Sequence, residues 1–143
     1  MMSIWFTEPS LPALNALAQG TLIEHLAIEI TAIGDDFITA KMPVDQRTVQ
    51  PYGLLHGGAS VVLAETLGSI AAMLCVNSAE KVCVGLEINA NHVRAARSGY
   101  VVGTVRPVHV GNSTHIWQTH IVDEKERLVC ISRLTVAVLD RKG

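Results

Sequence analysis

At the middle of the chain stands the stretch LHGGASVVLAETLGSIAAMLCV, residues 55–76, which decides the fold. After its glycines it contains no proline and a single charged residue, Glu65. The spacing therefore predicts one helix of roughly 18 residues, about 27 Å long. Apolar side chains cover most of its sides, and such a helix is buried on nearly all of them. Glu65, the small residues and the polar start argue against a membrane span. The sequence thus predicts a central helix that the rest of the chain wraps.

Glu65 is the anomalous residue of this helix, because a carboxylate is rarely buried unless it is paired or functional. Ser69 follows four residues later on the same face, and Gly58, Gly68 and Ala72 fall on or near that face. The glutamate therefore lies in a stripe of small side chains that another molecule or helix can approach closely. Two interpretations remain open on spacing alone: a glutamate at a subunit contact, or a carboxylate that lines a functional site.

Composition limits the class of protein. A chain of 143 residues suits one domain over 1–143, and 49% hydrophobic with 4% aromatic residues indicates an aliphatic core. The net charge of -2 and the lack of a basic run argue against a nucleic-acid partner. Residues 1–12 lack the pattern of a signal peptide, so we expect a cytoplasmic protein with no membrane partner. Cys75, Cys83 and Cys130 lack metal-ligand spacing and predict reduced, buried thiols and no metal site.

Around the central helix the sequence predicts two short helical segments and a sheet. The first predicted helix covers 10–19, with Ser10 as a suitable N-cap and Gly20 as a suitable end. Residues 22–26 are predicted to form a further helical turn. Turn residues at 34–36 predict a hairpin of the first two strands, and short connections among the last three predict an antiparallel meander. The predicted strands cover 27–33, 37–42, 82–90, 100–109, 115–123 and 128–139.

The order of these elements indicates the architecture. Two strands, an irregular loop over 43–55, one long apolar helix and four strands follow one another along the chain. One sheet that curls round one helix accounts for this order, because a helix of this kind must bury nearly all its sides. We therefore predict an α+β fold, with a curved antiparallel sheet wrapped round one long central helix.

The motif residues carry a resemblance to a known family. The loop QPYGLLHGG at 50–58, followed by Glu65 and Ser69, resembles the hotdog-fold acyl-CoA thioesterases, in particular the 4-hydroxybenzoyl-CoA thioesterase branch with a glutamate on the helix. The segments MPVD at 42–45 and VGLEINANH at 84–92 resemble more narrowly the bacterial 1,4-dihydroxy-2-naphthoyl-CoA hydrolases and the similar enterobactin proofreading thioesterases. The resemblance covers nearly the whole chain. It implies a hotdog fold and a thioesterase that hydrolyses an aromatic acyl-CoA to free acid and CoA, without a cofactor, with dihydroxynaphthoyl-CoA of menaquinone synthesis as the leading substrate.

The resemblance also implies roles for the motif residues. The backbone N–H of Gly57, at the positive end of the helix dipole, is expected to receive the thioester oxygen. Gln50 and His56 are expected to help hold the thioester, and Ser69 to orient Glu65 or the attacking water. Glu65 acts either as a nucleophile that forms a mixed anhydride or as a general base toward water. The sequence leaves both roles open.

The CoA part of the substrate needs an extended groove and cations. The resemblance places the pantetheine arm along the strand near Val84 and Gly85. Arginine and histidine near the mouth of the site suit the phosphates, and His92, which belongs to the matched motif, ranks before Arg94. Further candidates are Arg97, Arg106 and the loop 109–113.

Geometry predicts a site shared between two subunits. Gly57 and Glu65 are separated by about 12 Å along one helix, yet both must reach one thioester within about 3–3.5 Å of the reacting atoms. Two antiparallel helices from two subunits place the Gly57 of one chain beside the Glu65 of the other. We therefore predict a homodimer with a composite active site, and the resemblance implies that two such dimers form a homotetramer.

Three other functions remain as alternatives. A proofreading thioesterase would act on aryl or acyl groups on a carrier protein, which would then be a partner. A non-catalytic acyl-CoA-binding module would share the fold, since fold does not fix function, but it needs no carboxylate facing the thioester. A hotdog hydratase would use an aspartate–histidine pair in a different loop, which the sequence does not contain in that setting.

Overall fold

The computed structural model describes residues 2–142 and contains three α-helices and six β-strands. The strands form one antiparallel sheet in the order β1-β2-β4-β5-β6-β3, and the third helix packs against it. The predicted α+β architecture of one sheet around one long helix is confirmed. The elements are α1 (Leu11–Ala16), α2 (Leu22–His25), β1 (Glu29–Ile33), β2 (Ile38–Pro43), α3 (Gly57–Leu74), β3 (Lys81–His92), β4 (Tyr100–Val110), β5 (Thr114–Val122) and β6 (Leu128–Asp140).

The central helix α3 is the core of the molecule. It is long and apolar enough to span a membrane by length and composition, but 56% of it is buried inside the protein. Leu63 and Leu67 are fully buried in the core that the sheet encloses. A Cβ on Gly68 would lie 2.6 Å from Leu134 Cδ2, so this glycine lets the helix approach β6 closely. Gly68 thus belongs to the face packed on the sheet, which corrects its expected place in an accessible stripe beside Glu65.

The predicted connectivity is confirmed. β1 and β2 form the hairpin, and β4, β5 and β6 form the antiparallel meander. β3, which follows α3, pairs with β6 and becomes the edge of the sheet. A bulge between Gly85 and Glu87 leaves Leu86 unpaired and 64% exposed. The edge of β3 away from β6 therefore presents backbone groups that no strand of the described chain pairs with.

Element boundaries differ from the sequence predictions where tertiary contacts decide them. Ser10 caps α1 as predicted, with its Oγ accepting from the Ala13 N–H, but the α-helix proper ends at Ala16 and turns follow it. β3 continues past the predicted residue 90 because its polar end still pairs with β6. Of the three free cysteines only Cys130 is buried, and the other two are partly exposed.

Candidate active site

The loop before α3 holds Gln50 in a fixed orientation. Buried Thr48 ties this loop together, since its hydroxyl donates to the Pro43 carbonyl at 2.8 Å and its carbonyl accepts from the His56 N–H at 2.8 Å. Gln50 Oε1 accepts hydrogen bonds from the backbone N–H groups of Tyr52 and Leu54. These bonds show which side-chain atom of Gln50 is the oxygen, so its Nε2 amino group remains available as a hydrogen-bond donor.

His56 caps the helix at the point where Gly57 begins it. The Nδ1 atom of His56 accepts from the Gly58 N–H at 2.8 Å, which places the ring proton on Nε2. Within residues 2–142 no group accepts a hydrogen bond from the Gly57 N–H. A Cβ on Gly57 would lie 2.9 Å from His92 Nε2, so glycine is the residue that fits beneath this imidazole. The helix start therefore offers one free backbone donor at its positive end.

A first cavity of about 430 Å³ brings together four of the predicted site residues: Gln50, Gly57, His92 and Arg94. His56 is exposed and lies outside its lining, so the structure gives it the capping role and no contact with this cavity. The cavity thus combines two uncharged donors with a histidine and an arginine. This is a suitable environment for a carbonyl oxygen near the helix and for phosphates further out.

Glu65 lies elsewhere, between α3 and the edge strand β3. Its Oε2 atom is buried and has no hydrogen-bond partner in the described part of the chain. A Cβ on Gly85 would stand 3.4 Å from Glu65 Oε1, so the carboxylate lies directly against the glycine of β3. Burial raises the pKa of Glu65 above its ordinary value. A carboxylate left without a partner in this way is a candidate for direct chemistry.

Ser69 lies on α3 one turn beyond Glu65, and its expected role in orienting the glutamate or the attacking water stays a prediction. It is exposed and makes no hydrogen bond with the glutamate carboxylate. It lines a second cavity of about 350 Å³, bounded by α1, α2, the end of α3, the start of β3 and the C-terminal segment. The sequence did not predict this cavity, because no motif connects its parts. Its lining is Leu17, Ile23, Ser69, Ile70, Met73, Val76, Ser78, Lys81, Val82, Cys83 and Arg141.

The other candidates for CoA contacts are dispersed. Gly85 lies beside Glu65, but Val84 alternates to the opposite face of β3 and is exposed there. The guanidinium of Arg106 forms an ion pair with Asp36 at 3.2 Å and stacks on a phenylalanine ring. Arg97 lines a separate surface cleft next to the β5–β6 turn. Of the cations proposed from the sequence, only His92 and Arg94 share the cavity with Gly57 and Gln50.

Within one chain the donors and the carboxylate do not meet. Glu65 is absent from the lining of the cavity that contains Gly57 and Gln50, as the spacing of about 12 Å along the helix predicts. The described chain has a sheet wrapped round one helix, a free backbone donor at the start of that helix, and a carboxylate without a partner further along it. Together these features indicate a hotdog-fold thioester hydrolase.

Comparison with known proteins identifies the family. The model of the thioesterase superfamily matches residues 52–130, and the chain belongs to this superfamily. It is 57% identical over 136 residues to the 1,4-dihydroxy-2-naphthoyl-CoA hydrolase of Escherichia coli K12, covering 95% of this chain and 99% of that one. It is 52% identical over 136 residues to the proofreading thioesterase EntH of Cronobacter turicensis, covering 95% and 98%.

Solved structures agree with this assignment. A crystal structure of a mutant thioesterase from Pseudomonas aeruginosa superimposes with a TM-score of 0.96 at 48% identity, covering 97% of this chain and 100% of that one. The hotdog fold and the thioester-hydrolase class expected from the sequence are therefore confirmed. The roles of the individual site residues remain predictions.

The raised pKa of Glu65 has a consequence for stability. A carboxyl whose pKa is higher in the folded chain stabilises the fold below its unfolded pKa, and this contribution is lost as the pH rises through the folded value. Glu65→Gln keeps the shape without the charge. We expect its melting temperature to exceed that of the wild type at neutral pH, and the difference to shrink as the pH falls toward the ordinary pKa of a glutamate. Thermal melts across pH measure this. Glu8→Gln, at an exposed position outside the sheet, is the control for loss of a carboxylate. A melting-temperature difference between Glu65→Gln and the wild type that is the same at all pH values would contradict the prediction.

Proposed function

We propose that the protein hydrolyses an aromatic acyl-CoA to the free acid and CoA, with 1,4-dihydroxy-2-naphthoyl-CoA as the leading substrate and menaquinone synthesis as its context. The observation that carries the proposal is the Glu65 carboxylate, one helical turn from an apolar cavity of about 350 Å³. One of its oxygens is buried and has no hydrogen-bond partner among residues 2–142. A cavity of this size lies in the range of small-molecule sites. The name of the Escherichia coli relative supplies the particular acyl group.

The chemistry follows from the available groups. The Gly57 N–H and the Gln50 amide donate to the thioester oxygen and stabilise the negative charge that develops on it. As a nucleophile, Glu65 attacks the carbonyl carbon and expels the CoA thiolate, which takes up a proton, and water then cleaves the mixed anhydride. As a general base, it removes the proton from a water that attacks the carbonyl directly. Both routes consume one water and yield one acid and one thiol, and neither requires a metal.

The active site is composite in this proposal. The exposed edge of β3 allows two copies to join their sheets by antiparallel pairing, with their α3 helices side by side. Gly57 and Gln50 of one chain would then face Glu65 of the other. Two such dimers form a homotetramer in the cytoplasm.

The CoA arm has two supports. The bulged segment of β3 beside Val84 and Gly85, where Leu86 is left out of the ladder with β6, offers backbone groups to the amides of pantetheine. His92 and Arg94, in the cavity beside the helix start, are placed to meet the phosphates. Arginine binds phosphate through its planar fork of donors, and Arg94 forms no ion pair within residues 2–142.

A carrier-bound aryl thioester is the second candidate substrate. It is favoured by the name of the Cronobacter relative, a proofreading thioesterase. The acyl group and the pantetheine arm are the same in both cases, and only the surface that meets the nucleotide or the carrier protein differs. Activity on both kinds of substrate therefore has to be compared directly.

The test is thiol release from a panel of thioesters by the purified protein. The panel contains dihydroxynaphthoyl-, hydroxybenzoyl-, phenylacetyl- and medium-chain acyl-CoA, and a benzoyl group on an aryl carrier protein. We expect the highest kcat/KM for the bicyclic aryl-CoA. Preference for the carrier-bound benzoyl group would support the proofreading role instead. Tight binding without thiol release from any member would favour a non-catalytic acyl-CoA-binding module.

A further inference from the structure

Ser60 lies in the first cavity, although neither the sequence motif nor the helix cap accounts for it. It stands on α3 three residues after Gly57 and lines the same cavity of about 430 Å³ as Gly57 and Gln50. The residue is only 1% exposed. Polar side chains that are buried to this degree normally have a hydrogen-bond partner. The partner of the Ser60 hydroxyl therefore has to be identified.

The described chain supplies no such partner. A serine within a helix can donate to the carbonyl four residues earlier, but the His56 carbonyl accepts from the backbone N–H groups of Ala59 and Ser60 instead. Within residues 2–142 the fully enclosed side-chain oxygens and nitrogens without a partner are limited to Oε2 of Glu65. The unbonded Oγ atom of Ser60 is thus not sealed inside the protein. It is open to the cavity that the residue lines.

The two candidate groups beside Ser60 are both hydrogen-bond donors. The Gly57 N–H is free, and the side-chain oxygen of Gln50 is occupied by backbone N–H groups, which leaves its Nε2 to donate. A carbonyl oxygen has two lone pairs, and these two donors match them. A serine hydroxyl can accept as well as donate. Ser60 therefore adds an acceptor beside the two donors.

The spacing on α3 limits which part of a substrate Ser60 can reach. Positions three residues apart on a helix, such as Gly57 and Ser60, lie about 5–6 Å from each other. A hydroxyl on the ring carbon next to the one that carries the thioester, the ortho position, lies about 2.5–3.0 Å from the thioester oxygen, and one more hydrogen bond of that length crosses the remaining distance. With the thioester oxygen at the Gly57 N–H, an ortho hydroxyl is within reach of Ser60, and a hydroxyl further round the ring is not.

We propose that Ser60 determines substrate specificity by accepting a hydrogen bond from a hydroxyl ortho to the thioester. This inference rests on the proposed function, because it needs the thioester oxygen at Gly57. An ortho hydroxyl without another acceptor donates to the thioester oxygen and occupies a lone pair that Gly57 or Gln50 requires. Ser60 removes this competition, so both donors reach the oxygen on which negative charge develops. The leading substrate, 1,4-dihydroxy-2-naphthoyl-CoA, carries such a hydroxyl on the carbon next to the thioester.

The test compares three substrates that differ in one hydroxyl. They are 2-naphthoyl-CoA, without a hydroxyl, 1-hydroxy-2-naphthoyl-CoA, with the hydroxyl ortho to the thioester, and its isomer 4-hydroxy-2-naphthoyl-CoA. The variants are Ser60→Ala, which removes the hydroxyl, and Ser60→Cys, whose sulfur is a weak acceptor of similar shape. Thr119→Val is the control, because it removes a buried hydroxyl on β5 outside the lining of both cavities. The readout is kcat/KM for each pair of variant and substrate.

We expect Ser60→Ala to lower the ratio of kcat/KM for the 1-hydroxy isomer to that for the 4-hydroxy isomer by about three- to tenfold, the effect of one hydrogen bond between neutral groups. The ratio of the 1-hydroxy isomer to 2-naphthoyl-CoA should fall by the same factor. Ser60→Cys should give a smaller loss and Thr119→Val none. Unchanged ratios in Ser60→Ala, or an equal loss for all three substrates, overturn the specificity role while thioester hydrolysis stands. Absence of thiol release by the wild type from all three substrates overturns both proposals.

Discussion

We expect Glu65→Gln to lower kcat for CoA thioester hydrolysis by about a hundredfold or more. Glutamine retains the size and polarity of the side chain but can neither attack the carbonyl nor accept a proton from water. Loss of such a group typically lowers the rate by about 10²–10⁴-fold. The Glu65 carboxylate lies against Gly85, and its buried oxygen has no hydrogen-bond partner among residues 2–142. The measurement is thiol release under saturating substrate.

Two controls make this result specific to the reacting group. Glu8→Gln removes a carboxylate at an exposed position outside the sheet and outside the lining of the two cavities, and it should retain wild-type kcat. Binding of a non-hydrolysable CoA thioether should survive in Glu65→Gln, because the variant keeps the cavities intact. Persistent hydrolysis in Glu65→Gln would show that another group carries the reaction.

The sequence predicted the parts of the site that are local. The central helix and the unusual position of its glutamate were predicted from one apolar run that contains a single charged residue. This was possible because the residues of such a helix themselves determine that it is buried. The motif at 50–58 predicted that the loop before the helix brings Gln50 and Gly57 to one site. The structure confirms that both residues line one cavity. These features need no knowledge of distant parts of the chain.

The features that the sequence did not predict depend on long-range packing. Ser69 shares the face of Glu65 by helical spacing, but it lines the second cavity, whose other parts come from distant segments of the chain. Arg141 reaches that cavity because β6 pairs with β3 along its full length and places the C-terminal segment beside Ser78. Only the assembled sheet decides such roles.

The most direct evidence for a composite site comes from mixing two inactive subunits. Gly57→Val places a side chain where even a Cβ meets His92 at 2.9 Å, and it fills the space in which the thioester oxygen is expected to reach the backbone donor. We expect Gly57→Val and Glu65→Gln each to lose hydrolysis by about a hundredfold or more, as removal of an oxyanion donor or a reacting carboxylate does. Neither variant removes an apolar core contact, so both should still form dimers.

Mixed dimers of these two variants regain activity if each site takes Gly57 from one chain and Glu65 from the other. A heterodimer then contains one site with both defects and one site with neither. Random reassociation gives heterodimers in half of the population, so the mixture should recover about one quarter of the wild-type rate per chain. If both groups acted within one chain, every site would carry one defect and the mixture would stay inactive. Mixing Gly57→Val with a chain that carries both substitutions is the control and cannot form an intact site. Gln50→Ala in place of Gly57→Val repeats the experiment with a change that introduces no steric clash, so recovery with both partners locates the donors and the carboxylate on different subunits.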